Sequence, residues 1–120
     1  MSQAPPRRVV LADDHVGVLT ALRRLLAPWC EIVDQVTTGG AAVEAATRLH
    51  PDVVVLDISL ADASGLVVCA RIKQAVPQTR VVVLTAADDP QIRTRAFEAG
   101  ASAFVLKHLV THDLLEAITG

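Results

Sequence analysis

Asp52-Val53-Val54-Val55-Leu56-Asp57 is the stretch that decides the fold. Its apolar core is too short for a typical helix and too apolar for a half-exposed strand. Three β-branched valines and a leucine read instead as a strand buried on both faces, the kind found in the middle of a parallel sheet. A carboxylate closes its C-terminal end. Asp57 is therefore expected at the mouth of a sheet, and it is the first candidate for chemistry.

The same pattern recurs outward in both directions. Arg8-Val9-Val10-Leu11-Ala12 is a short apolar run that ends in Asp13 and Asp14. Arg80-Val81-Val82-Val83-Leu84 ends in Thr85, and Ala103-Phe104-Val105-Leu106 ends in Lys107. Glu31 to Val36 alternates enough to be a strand at the sheet's edge.

Helical segments fill the gaps. Val18, Leu19, Leu22, Leu25 and Leu26 recur at helical spacing with Arg23 and Arg24 on the other face, and Pro28 stops the run. Thr38-Gly39-Gly40 opens a second helix with an apolar stripe of Ala42, Val43, Ala46 and Leu49, and Pro51 ends it. After an irregular stretch from Ile58 to Ala63, Ser64 is placed to cap a third helix containing Leu66, Cys69, Ala70 and Ile72, with Pro77 beyond. Asp89-Pro90 pairs a cap residue with proline at the first helical position. That helix runs to about Ala99, and Gly100 fits the left-handed residue that closes it. Thr111 is expected to cap a last helix through Leu114, Leu115 and Ile118.

Strands alternating with helices imply a parallel sheet, because parallel neighbours need crossover connections, which are right-handed. Five such units in 120 residues are too few for an eight-fold barrel. An open, doubly wound α/β sheet with helices on both faces remains. Residues 1–7 read as a disordered leader and residues 8–120 as one domain.

Composition narrows the function. Hydrophobic residues make up 52% of the chain, nearly all of them Ala, Val, Leu and Ile; the aromatics are Trp29, Phe97 and Phe104, with no tyrosine. A surface that stacks bases or sugars is not expected. A formal net charge of −2 leaves no electrostatic footprint for nucleic acid on this segment. Cys30 and Cys69 lack metal-ligand spacing and are expected as buried, reduced thiols. No apolar run approaches the length of a membrane span, and a soluble, cytoplasmic protein is expected.

The polar strand ends carry the chemistry. In open α/β sheets ligands bind in the crevice outside the carboxyl ends of the strands. If the strands ending in Asp13-Asp14, Asp57, Thr85 and Lys107 are the central ones, three carboxylates, a hydroxyl and an ammonium meet there. Any one of these is unremarkable alone: a strand-end Asp is usually a cap or loop residue, and a lone Lys is usually solvated. Only the conjunction is informative. Clustered carboxylates repel one another and call for a cation; hard oxygen ligands suit Mg²⁺; a lysine and a hydroxyl opposite suit phosphoryl oxygens. The set describes phosphoryl transfer, with one carboxylate as nucleophile and metal plus lysine neutralising charge.

At this point the chain resembles the receiver domain of bacterial two-component response regulators, from Arg8 to about Thr119. The resemblance rests on Val-Val-Leu-Ala-Asp-Asp-His, Asp-Val-Val-Val-Leu-Asp, the Leu-Thr-Ala at 84–86, Phe-Val-Leu-Lys and the spacing from Asp57 to Gly65. It implies a flavodoxin-like (βα)5 fold with strand order 2-1-3-4-5. It also implies Asp57 as phosphoacceptor from a sensor histidine kinase. Mg²⁺ (or Mn²⁺) would be held by Asp14, Asp57 and the backbone carbonyl of Ser59, with Asp13 acting largely through water. Thr85, the backbone N–H of Ala86 and Lys107 would contact the phosphoryl oxygens. Thr85 and Phe104 would be switch residues, changing the surface of the fourth helix, fifth strand and fifth helix. Such a protein is a switch and not a turnover enzyme.

Leu-Ala-Asp-Asp-His, Ser-Gly-Leu, Pro-Gln-Thr-Arg-Val-Val-Val-Leu-Thr-Ala and Leu-Leu-Glu-Ala-Ile are most similar to receivers joined to a LuxR-type helix-turn-helix output. The resemblance thus implies a transcriptional regulator whose C-terminal DNA-binding domain is absent from this chain. A stand-alone receiver is the alternative. A homodimer on phosphorylation would use either the fourth-helix, fifth-strand, fifth-helix face or the first and fifth helices.

Three positions depart from the family pattern. His108 stands where many receivers have a cis proline; a non-proline cis bond costs about 3 kcal/mol, so a trans or visibly strained bond is expected. Ala61 replaces a frequent proline and should loosen its loop. Phe104 replaces tyrosine, so no hydroxyl reports the switch. Among rivals, a haloacid-dehalogenase-type phosphatase needs a second Asp two residues after the nucleophile, where Ser59 stands. A non-phosphorylated receiver-like module usually lacks an acidic residue or the lysine, and a flavin protein needs a phosphate loop after the first strand. His15 is expected near the site's rim, and His50, His108 and His112 in surface or loop positions.

Overall fold

The computed structural model describes residues 6–60, 62–107 and 110–119, without the side chains of residues 110–112. In chain order the elements are β1 (Arg7–Ala12), α1 (Val16–Leu26), β2 (Cys30–Val36), α2 (Gly39–Leu49), β3 (Val53–Asp57), α3 (Gly65–Ala75), β4 (Arg80–Thr85), α4 (Pro90–Glu98), β5 (Ala103–Leu106) and α5 (Val110–Thr119). The strands form one parallel sheet in the order β2-β1-β3-β4-β5.

Every residue of β3 is buried, as its unbroken apolar run requires of a strand covered on both faces. Strand alternation then sorts the valines and leucines into two cores. Val10, Ala12, Val54, Leu56, Val81 and Val83 face α2, α3 and α4, meeting Ala42, Ala46, Val68, Cys69, Ile72 and Ala96. Val9, Leu11, Val53, Val55, Val82, Leu84 and Val105 face α1 and α5, meeting Leu19, Leu22, Leu26, Leu114 and Ile118. A one-residue slip of any inner strand would exchange these faces, so the two cores fix the register of the whole sheet. The sheet's C-terminal edge is thereby fixed too.

Local signals act as expected at most ends. Thr38 caps α2 by accepting from the Ala41 N–H, Ser64 caps α3 from the Leu66 N–H, and Asp89 caps α4 from the N–H groups of Gln91 and Ile92 with Pro90 following. Gly100 closes α4 at φ 105, and His50 takes the left-handed position after α2 at φ 46. Cys30 and Cys69 are free and buried.

Two boundaries differ from expectation. β1 begins at Arg7, which pairs with Cys30, so the last residue assigned to the leader belongs to the sheet; residues 1–5 lie outside the described residues. α5 begins at Val110, so Thr111 is inside the helix and not its cap. Helix ends carry few fixed contacts and shift easily by a residue. Among the described residues no helix is long and apolar enough to cross a membrane.

Candidate functional site

Four strands deliver polar groups to one edge of the sheet. Asp57 and Thr85 are the last residues of β3 and β4, while Asp13 and Lys107 directly follow β1 and β5. Because these strands are neighbours in parallel register, their ends converge on a cleft of about 350 Å³ lined by Asp14, His15, Asp57, Ile58, Ser59, Thr85, Ala86, Ala87 and Lys107.

Lys107 is the hinge of the electrostatics. Its Nζ lies 3.0 Å from Asp13 Oδ2 and 3.4 Å from Asp57 Oδ1. Asp13 and Asp57 are almost fully buried, at 1% and 3% exposure. Burial pushes the Asp57 carboxyl above the usual carboxylate range; the Ser59 N–H pulls it back, the Asp13 charge raises it again and Lys107 opposes that. For Lys107, burial works against the charge, but contacts with Asp13 and Asp57 outweigh it and leave its pKa above that of a free lysine. The ammonium is thus cationic throughout the physiological range.

One lysine does not satisfy three carboxylates. Among the described residues Asp13 Oδ2 and Asp14 Oδ1 are buried and accept no well-aligned hydrogen bond. The Lys107 ammonium lies 3.0 Å from Asp13 Oδ2, and His15 Nδ1 lies 3.0 Å from Asp14 Oδ1, neither in hydrogen-bond alignment. Asp13, Asp14, His15 and Asp57 each offer a ligand atom, all within 4.8 Å of one another. Oxygen donors lacking protons to accept are what a hard divalent cation uses, so the residues present fit a metal.

The structure brings Asp13, Asp14, Asp57, Ser59, Thr85, Ala86 and Lys107 together, as the sequence suggests. Ser59 donates its N–H to Asp57 Oδ1 at 3.3 Å. Thr85 is turned onto its own loop: its hydroxyl donates to the Ala87 carbonyl at 3.1 Å and accepts from the Ala87 N–H at 3.3 Å. Phe104 stands apart from the cleft, half-buried against the core of α2, α3 and α4, with the Arg93 guanidinium 5.9 Å above its ring. Arg93 sits over Phe97 as well, at 5.8 Å. The Lys107-His108 peptide, Ala61 and the side chain of His112 lie outside the described residues.

His15 stands at the rim as expected, with its side chain 70% exposed, and contacts Asp14 at 3.0 Å and Asp13 at 3.3 Å, while its own N–H donates to Asp13 Oδ1 at 2.9 Å. One participant escapes the sequence reading. Asp62 accepts from the Gly39 N–H at 2.7 Å and the Gly40 N–H at 3.3 Å. The Gly39 bond holds its carboxyl below the ordinary range. Nothing in the local sequence announces a partner 23 residues away.

Comparison with known proteins agrees with this geometry. The family model for the response regulator receiver domain matches residues 9–119. The nitrate/nitrite response regulator protein NarL of Escherichia coli K12 is 28% identical over 98% of this chain and 56% of its own length. This chain therefore spans about half the length of that relative. A LuxR-family two-component response regulator from Aurantimonas superposes with a TM-score of 0.89 at 31% identity, covering 95% of this chain and 83% of that one. The receiver domain of a putative response regulator NarL from Mycobacterium tuberculosis gives 0.87 at 29% identity, covering 98% and 99%.

Proposed function

The chain belongs to the response regulator receiver family, and from that premise we propose that Asp57 accepts a phosphoryl group from a sensor histidine kinase. The observation that carries this is the Lys107 ammonium seated between Asp13 and Asp57, 3.0 Å and 3.4 Å away, beside the acidic cluster of Asp13, Asp14 and Asp57. A carboxylate oxygen of Asp57 attacks phosphorus. The phosphorus–nitrogen bond of the donor phosphohistidine breaks, the imidazole leaves with the electron pair, and Asp57 is left as an acyl phosphate.

Each neighbour has a distinct task. Asp14, Asp57 and the Ser59 carbonyl would hold Mg²⁺, or Mn²⁺ in its place, with Asp13 acting largely through water. Bound there, the ion supplies charge neutralisation for the phosphoryl oxygens. Lys107 holds Asp57 in place before transfer and neutralises the new phosphoryl charge afterwards. The Ala86 N–H donates to a phosphoryl oxygen.

Thr85 joins them only by giving up its bond to the Ala87 carbonyl, and that exchange links the chemistry to a change of shape. Its departure frees the loop before α4, and Phe104 turns toward the space vacated. The Arg93 stack over Phe97 and Phe104 is then remade, altering the α4, β5 and α5 surface. A local charge biasing a two-state loop is what a switch needs. The protein stores a signal and does not turn over a substrate.

In a longer cytoplasmic protein this surface would govern a C-terminal DNA-binding output or a homodimer contact. The test is incubation with a small-molecule phosphodonor and Mg²⁺ followed by intact mass. One phosphate adduct, lost in Asp57→Asn, supports the reading. No adduct, or steady hydrolysis of a phosphate ester, sinks it.

A further inference from the structure

The loop from Ile58 to Ser64 carries Ser59, whose N–H holds Asp57 and whose carbonyl faces the cation under the function proposed above. The base of this loop is well tied. Ile58 donates its N–H to the Leu84 carbonyl at 2.9 Å, Gly65 donates to the Ile58 carbonyl at 2.8 Å, and Ser59 and Ser64 form an antiparallel bridge. At the outer half, among the described residues, Leu60 is buried and Asp62 reaches across to another element.

An exposed carboxylate ordinarily points into water. Both oxygens of Asp62 are instead taken up by the first two N–H groups of α2, from Gly39 and Gly40. That helix already has its own cap, because Thr38 accepts from the Ala41 N–H at 3.1 Å. The charge also suits the positive end of the helix dipole, and charge-assisted bonds of this kind are stronger than neutral ones. Fit reinforces the bond. A Cβ at Gly39 would meet Val68 Cγ2 at 2.6 Å and Ala63 Cβ at 3.3 Å, so the helix start lies directly against the loop and α3.

We propose that Asp62 is a positioning residue: by fastening the outer half of the β3–α3 loop to the N-terminus of α2, it adds to the Ser59–Ser64 bridge in holding Ser59 where the cation site needs it. α2 is the frame, Asp62 is the tie, and Ser59 is what the tie positions. Loss of the tie leaves the acidic residues untouched and frees the outer half of the loop.

The test is calorimetric Mg²⁺ titration of the whole chain and of three variants. Asp62→Ala weakens Mg²⁺ binding severalfold, short of the roughly 10–100-fold that follows loss of a group bonded directly to a metal ligand, and slows adduct formation from a phosphodonor. Asp62→Asn keeps an oxygen for the Gly39 N–H and recovers most of the affinity, which separates position from charge. Thr38→Ala removes the other cap of the same helix, lowers thermal stability and leaves Mg²⁺ affinity unchanged. The proposal is overturned if Asp62→Ala binds Mg²⁺ as the parent does, if Asp62→Asn is as weak as Asp62→Ala, or if Thr38→Ala weakens binding equally. A parent chain that forms the adduct while Asp62→Ala matches it in metal affinity overturns the positioning role alone. A parent that neither binds Mg²⁺ nor forms the adduct removes the phosphoacceptor reading as well.

Discussion

Gly65→Ala is a perturbation of one methyl group with a calculable outcome. Gly65 opens α3 directly behind the phosphoacceptor strand. A Cβ there would stand 2.6 Å from the Asp57 carbonyl oxygen, 2.6 Å from Ile58 Cα and 2.9 Å from the Ile58 carbonyl oxygen. All three are backbone atoms, so no rotamer change relieves the contact. The deficit against ordinary contact at 3.4 Å is about 0.8 Å. Either α3 backs away from β3 or the 2.8 Å bond from the Gly65 N–H to Ile58 is strained. Overpacking of this kind costs about 1–3 kcal/mol. The helix preference of Ala over Gly, about 1 kcal/mol in a helix interior, offsets little at a first helical position. With unfolding entropy near 2.1 cal/mol/K per residue over 120 residues, Tm falls by about 4–12 °C. Circular-dichroism melting with and without Mg²⁺ reads this, and the Mg²⁺-induced rise in Tm shrinks because Ser59 is displaced with Ile58. A Tm within about 2 °C of the parent, the range of an indifferent surface change, would refute the close approach of α3 to Asp57.

Other consequences are quicker to check. Asp62→Ala is less stable than the parent at neutral pH. The folded-state pKa of Asp62 is lowered, so its contribution is fully present above the unfolded value of about 3.9 and is lost as pH falls through the folded value. Denaturant melts should therefore show a gap that closes in acid; a gap that widens there contradicts the bond to Gly39. Burial lifts the Cys69 thiol to about 11 and raises that of Cys30, so neither is alkylated in the native protein at neutral pH and both are in denaturant. Rapid native labelling seen by mass would put one at the surface. Trp29 is 62% exposed at the turn before β2, at the opposite end of the sheet from Asp57 and about 20 Å away at strand spacing. Its fluorescence changes little on Mg²⁺ addition, and a large quench would be inconsistent with the topology.

How much of this was legible in the sequence depends on the range of the interaction. β3 and β4 announce themselves because burial on both faces demands unbroken apolar runs, and that demand is written residue by residue. The caps at Thr38, Ser64 and Asp89 are legible because each bonds within three residues of itself. Asp13, Asp14, Asp57, Thr85 and Lys107 could be grouped because parallel strands bring their C-terminal ends to one edge. Once strand ends were found, the cluster followed. The Asp62 tie to Gly39 and Gly40 was not legible, since it depends on how two loops lie across the top of the sheet. The orientation of Thr85 toward Ala87 was hidden too, because a threonine at a strand end has several local partners in reach.

Under the proposed function Asp57 itself becomes the acyl phosphate. Reductive trapping tests it most directly: borohydride converts an aspartyl phosphate to homoserine, and peptide mapping then reports the residue that carried it. After incubation with a phosphodonor and Mg²⁺, homoserine is expected at position 57 and is absent when a chelator replaces the metal. Trapping at another carboxylate, or at none while phosphate is steadily released, would contradict it.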